Sequence, residues 1–230
     1  MKRAAILMLV MTACAGQSDP VIRVSAAASL TGVFTQMASE YTTTTGIEVD
    51  LNFAGSSALR EQILEGAPVD VYASADESNM QRVVDAGAAT TAQVFATNSL
   101  VIAVPAGNPG NVTGLADLER PDLLVGVCAD GVPCGDLARA LLEAAGVQAS
   151  VDTNEPDVRA LVTKIETGEL DAGLVYRTDL GDSLESIAVP AHPPTRYMLA
   201  SLTDAGGDFV AWVRSERGSE ILRAAGFGAP

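Results

Sequence analysis

The sequence predicts an α/β protein of two similar lobes with a ligand cleft between them. Three observations carry this. Short apolar runs of strand character alternate along the chain with stretches of helical period, the order of β–α–β units. Aromatic residues make up only 4% of the chain while Ala, Val, Leu and Gly are plentiful, which suits strands buried between helices. There is also a loose internal echo. Arg60 to Tyr72 runs helix, Gly66, then Asp70 in a strand; Arg159 to Tyr176 runs helix, Gly168, then Asp171 in a strand.

The chain opens with Lys2 and Arg3, an apolar run from Ala4 to Met11, and Thr12-Ala13-Cys14. A basic start, an apolar stretch too short to span a bilayer and small residues make an export signal over 1–13. Thr12-Ala13-Cys14 resembles a bacterial lipoprotein cleavage box, with Met11 where Leu is usual, so Cys14 is expected to be lipidated and 14–20 to be a tether. The alternative is an ordinary cleaved signal with an incidental cysteine. Either reading places the protein outside the cytoplasm. Removing Lys2 and Arg3 takes Lys plus Arg from 14 to 12 against 29 acids, a balance of −17. So acidic a chain is not a nucleic-acid binder and is not drawn electrostatically to anionic lipid. Three cysteines and the single His192 are too few soft ligands for a structural zinc.

Val24 to Leu30 reads as a small-residue strand delivering Ser29 to the N-cap of a helix. That helix carries Leu30, Val33, Phe34, Met37, Ala38 and Tyr41 on one stripe. Ile47 to Phe53 is a strand, and Ser56 or Ser57 caps the helix that follows. Val69 to Ala73 is a third strand, and Met80, Val83 and Val84 mark a helix ending near Gly87. Thr97-Asn98-Ser99 is a polar break before the strand Leu100 to Val104. Leu123 to Cys128 is a strand, and Val132-Pro133-Cys134 opens a helix that Gly146 stops. Val151 to Thr153 is a short strand, and Asn154 to Asp157 cap a helix with Val158, Leu161, Val162 and Ile165 inward. Leu170 to Tyr176 is a strand with Tyr176 at its carboxyl end; a polar loop, the stretch Ile187 to Val189 and the prolines Pro190, Pro193 and Pro194 follow, Tyr197 to Leu202 is a strand, and two helices finish the chain. The lobes are expected to be 21–98 plus 194–230, and 99–193.

Four helix starts thus stand at strand carboxyl ends: Ser29, Ser56, Cys134 and Val158. Ligands of open α/β sheets bind beyond those ends. Closure of two lobes brings together four sets of unpaired N–H groups, two hydroxyls and the phenol of Tyr176, expected at the cleft edge. An acidic protein can bind an anion this way, with neutral dipoles at contact range where the far field counts for little.

Ala26-Ala27-Ala28-Ser29-Leu30-Thr31, Phe53-Ala54-Gly55-Ser56-Ser57, Gly66-Ala67-Pro68-Val69-Asp70-Val71, Asn98-Ser99-Leu100-Val101, Asp157-Val158-Arg159 and Gly173-Leu174-Val175-Tyr176 resemble the molybdate-binding proteins of bacterial ABC importers, in that family's order. The resemblance implies a two-lobed periplasmic-binding-protein fold of type II. It also implies a molybdate or tungstate ligand, a membrane permease as partner, no cofactor, and a monomer. The oxyanion-binding residues it implies are Ser29, Ser56, Cys134, Val158 and Tyr176. Cys134 stands where relatives often have Ala, a change a main-chain contact tolerates.

Two rival readings remain. Cys134 at a helix start has the setting of a catalytic thiolate, but His192 is distant in sequence. Sulfate, fully deprotonated like molybdate, differs only in size, whereas hydrogen phosphate wants an acceptor and no contact position is acidic. An oxidising compartment and the pairing left by Cys14 predict a Cys128–Cys134 disulfide. Asp70 and Asp76 read as turn and capping residues, His192 as a solvated hinge residue, and Phe209 and Trp212 as core. With neutral donors alone, affinity is expected to be nearly flat across neutral pH.

Overall fold

The computed structural model describes residues 21–230; the expected export signal and tether, and Cys14, lie outside them. The chain starts with β1 (Val21–Ala27), a 3-10 turn over Ala28–Leu30, α1 (Thr31–Thr45), β2 (Glu48–Ala54), α2 (Ser56–Leu64), β3 (Val71–Ser74), α3 (Glu77–Asp85) and β4 (Gln93–Asn98). It crosses at Ser99 into β5 (Leu100–Pro105), β6 (Val125–Cys128), α4 (Pro133–Ala145), β7 (Val151–Glu155), α5 (Val158–Glu166), β8 (Ala172–Tyr176) and β9 (Leu184–Ile187). It then returns to β10 (Thr195–Ser201), α6 (Gly207–Val213) and α7 (Glu216–Ala224).

Two five-stranded sheets result, ordered β2-β1-β3-β10-β4 and β7-β6-β8-β5-β9. Each holds three parallel neighbours, then a strand antiparallel to the third, then an edge strand antiparallel to that one. The sequence echo has a physical basis in this repetition. Asp70, just before β3, accepts the Arg23 N–H at 2.8 Å and gives its own N–H to the Arg23 carbonyl at 2.8 Å. Asp171, just before β8, does the same with Leu124, at 2.8 Å each way. In both sheets one aspartate ties the entry of a strand to its parallel neighbour, β3 to β1 and β8 to the start of β6.

The stripe on α1 buries Val33, Phe34, Met37, Ala38 and Tyr41, as its period predicts. Phe34 and Tyr41 meet Phe209 edge-on at 6.3 and 5.2 Å, which locks the C-terminal helices onto the first sheet. The second lobe is held by aliphatic side chains from both faces of its sheet. Two elements depart from the sequence reading. Gln93–Asn98 is a strand, not a run into a polar break, because the partners that pair with it, β10 and Gly228, lie about a hundred residues or more further on. The ninth strand is Leu184–Ile187, earlier than Ile187 to Val189, because its pairing with Ile102 to Pro105 sets its place.

Candidate functional site

The ends of β1, β2 and β8 and the starts of α4 and α5 surround a small cavity, partly open to solvent. Ser29, Ser56, Cys134, Val158 and Tyr176 all line it. Cys134 is the second residue of α4 and Val158 the first of α5. N–H groups at such positions have no intrahelical partner, and among the described residues neither takes another. The Asp157 carboxylate caps α5 by accepting the Arg159 and Ala160 N–H groups at 2.8 and 3.0 Å, leaving that of Val158 for the cavity.

Neither serine caps a helix, contrary to the sequence reading. Ser29 sits inside the 3-10 turn before α1, whose N-cap is Leu30. Ser56 is the first residue of α2, and Gly55 holds the cap position. A tightened extra turn in one case and a glycine in the other displace the hydroxyls from capping geometry. The Ser29 hydroxyl instead lies 2.8 Å from the Tyr197 phenol. Buried Ser56 accepts the Ala75 N–H at 3.0 Å. Ser57 is only partly buried and does not line the cavity.

Tyr176 is not at the cleft edge. It is buried, and its hydroxyl has no hydrogen-bond partner among the described residues. Burial pushes its ionisation well above the ordinary tyrosine value, so the phenol keeps its proton and is a donor without an acceptor.

Sequence reasoning missed Asp179, three residues past β8. It lies in an adjoining cavity that shares Ala28 and Ser29 with the first and includes Arg159. The carboxyl is buried, with Oδ2 unpartnered. Burial pushes its pKa up to about 7; Arg159 opposes the shift and Asp157 adds to it. No periodicity marks such a residue. The expectation of an affinity nearly flat across neutral pH takes no account of this carboxyl.

A disulfide joins Cys128 to Cys134, with Cα atoms 5.7 Å apart. The turn fits because the next residue is Gly135, where a Cβ would meet the Cys128 carbonyl oxygen at 2.4 Å. Asp70 and Asp76 make turn and capping bonds, and the described residues contain no group of His, Cys, Asp and Glu able to hold a metal ion. His192 is more than a solvated hinge residue: its ring accepts the Leu100 N–H at 3.2 Å, beside the crossing between lobes. Phe209 is fully buried and Trp212 partly so.

Among known proteins, residues 22–228 match the family described as bacterial extracellular solute-binding protein. The molybdate-binding protein ModA of Mycobacterium tuberculosis is 38% identical over 221 residues, 91% of this chain and 85% of that protein. The periplasmic molybdate-binding protein of Azotobacter vinelandii has a similar fold, with a TM-score of 0.78 at 21% identity, covering 91% of this chain and 99% of that one. The sulfate-binding protein SubI of M. tuberculosis is nearly as similar, with a TM-score of 0.77 at 17% identity over 90% and 86% of the two chains. The fold by itself therefore does not separate these anions.

Proposed function

The chain belongs to the bacterial extracellular solute-binding proteins, and from that premise we propose that it captures molybdate or tungstate outside the cytoplasm and hands it to the permease of an ABC importer. The oxyanion sits between a first lobe, 21–98 plus 194–230, and a second, 99–193. Ser29, Ser56 and Tyr176 give it hydroxyl protons, and Cys134 and Val158 give main-chain N–H groups. The protein is a carrier, not a catalyst, acts as a monomer, and is tethered to the membrane by lipid on Cys14.

One observation supports this reading above the rest. A single small cavity gathers five donor positions from both lobes with no Lys or Arg in its wall. The relative most informative about the ligand is the 38% identical molybdate-binding protein. Calorimetric titration of the purified protein with molybdate, tungstate, sulfate and hydrogen phosphate tests it. Molybdate and tungstate are expected to bind with comparable affinity and ahead of the other two; no binding of either would sink the proposal.

A further inference from the structure

At each serine of the cavity a protein donor takes one acceptor position of the oxygen, and the hydroxyl proton is left over. At Ser56 the covering donor is the Ala75 N–H, which can only donate. At Ser29 the partner is the Tyr197 hydroxyl, and a hydroxyl pair at 2.8 Å has two possible directions. Asn98 decides between them. Its Oδ1 accepts the Ser99 N–H at 2.9 Å, which fixes the amide so that Nδ2 faces Thr178 Oγ1 at 2.8 Å and the Tyr197 oxygen at 3.4 Å. Tyr197 therefore accepts from Asn98, and Ser29 Oγ is the remaining partner for its own proton. Tyr197 is fully buried, so a reversed bond would strand that proton with no acceptor.

We propose that Asn98 and Tyr197 form a positioning relay that makes Ser29 a donor to the ligand, and that this sets the site's discrimination against oxyanions that carry a proton. The relay runs Asn98 Nδ2–H to Tyr197, Tyr197 O–H to Ser29, and Ser29 O–H to the anion. With Ser56 directed likewise and Tyr176 holding an unspent proton, all three hydroxyls of the cavity wall donate. Asp157 also lines the cavity, with its Oδ1 engaged in capping α5; a serine can otherwise accept as readily as it donates, so the five donor positions do not alone exclude hydrogen phosphate. The relay narrows that freedom at Ser29 from 168 residues away in sequence: the Tyr197 proton takes one acceptor position of Oγ and leaves the Ser29 proton to face the ligand. The inference rests on the oxyanion reading above but not on which bare dianion is the natural ligand.

The test is calorimetry at mildly basic pH, where molybdate and sulfate are bare dianions and phosphate is a dianion with one proton. The parent protein is expected to prefer the bare dianions. Tyr197→Phe keeps the ring, which packs edge-on against Tyr176 and Phe227 at 5.9 and 5.4 Å, and uncovers the Ser29 oxygen. It is expected to narrow the preference for bare dianions over hydrogen phosphate by about five- to tenfold. In a Ser29→Ala background the same change should leave the ratio where it was. Asn98→Asp leaves the aromatic packing intact and turns the Tyr197 proton toward the new carboxylate, so it should narrow the ratio too, which covers the case of a poorly folded Tyr197→Phe. Equal weakening for every anion, or narrowing that persists without the Ser29 hydroxyl, would overturn the relay. So would a parent that binds hydrogen phosphate as tightly as a bare dianion. A parent that binds sulfate and not molybdate removes the ligand assignment alone, and the sulfate to hydrogen phosphate ratio then decides the relay.

Discussion

Gly55 of the first lobe and Pro156 of the second touch backbone to backbone across the cleft: a Cβ on Gly55 would lie 2.4 Å from the Pro156 carbonyl oxygen. The need for glycine is not conformational. With φ −59° and ψ 139°, Gly55 has a backbone open to any residue. The constraint is the approach of the other lobe. Gly55→Ala should fold as the parent does and fail to bring the lobes to this contact. Overpacking of about 1–3 kcal/mol corresponds to a loss of affinity of roughly fivefold to somewhat over a hundredfold. Scattering checks the cause: the parent is expected to compact with molybdate, and the variant to compact less.

Ser29→Ala and Ser56→Ala each remove a hydrogen bond to a charged ligand, about 1.5–3 kcal/mol, so affinity should fall by roughly one to two powers of ten. Ser56→Ala also leaves the Ala75 N–H without its acceptor, and its melting temperature should drop as well. Calorimetry beside thermal melts separates the two effects; parent-like molybdate affinity in both variants would dismiss the site.

Tyr176→Phe should split stability from binding. The buried hydroxyl has no partner in the free protein, so removing it is expected to leave the ligand-free melting temperature unchanged or higher. Affinity should nevertheless fall about tenfold or more, because no water stands ready to replace a phenol buried this deeply. A lower melting temperature with unchanged affinity would reverse the assignment.

Asp179 is expected to add a pH dependence to both stability and binding. Its carboxyl is raised from 3.8 to about 7, so the native state holds a proton that the unfolded chain releases. Stability should therefore decline as pH rises from about 4 through 7 and level off above. Binding of a bare dianion should weaken above about pH 7, where an ionised carboxylate stands in the adjoining cavity. Asp179→Asn should flatten both profiles. Melts and titrations at mildly acidic and mildly basic pH measure this, and a variant with the parent's slopes would exclude Asp179 as the source.

Cys134→Ala opens a small ring whose closure stabilises by about 2 kcal/mol in the loop-entropy model. The contact at Cys134 is main-chain, so molybdate affinity should change by no more than about threefold. Thiol labelling of the non-reduced, denatured protein should find neither Cys128 nor Cys134 free.

The sequence by itself determined the α/β class, the succession of most elements, and the five positions that line one cavity. These are properties of short windows. The stripe of α1 follows from spacing within fifteen residues, and a strand running into a helix start is visible in a few residues around Ser29, Ser56, Cys134 or Val158. Only the tertiary structure decided what those residues do. Gln93–Asn98 is a strand because β10 pairs with it. Ser29 faces Tyr197 rather than capping a helix, Tyr176 is sealed away from solvent, and Asp179 is buried with an unpartnered oxygen. Burial, and the direction in which a hydroxyl points, are set by neighbours outside the local window, 19 residues on for Ser56 and 168 for Ser29, and no local pattern carries them.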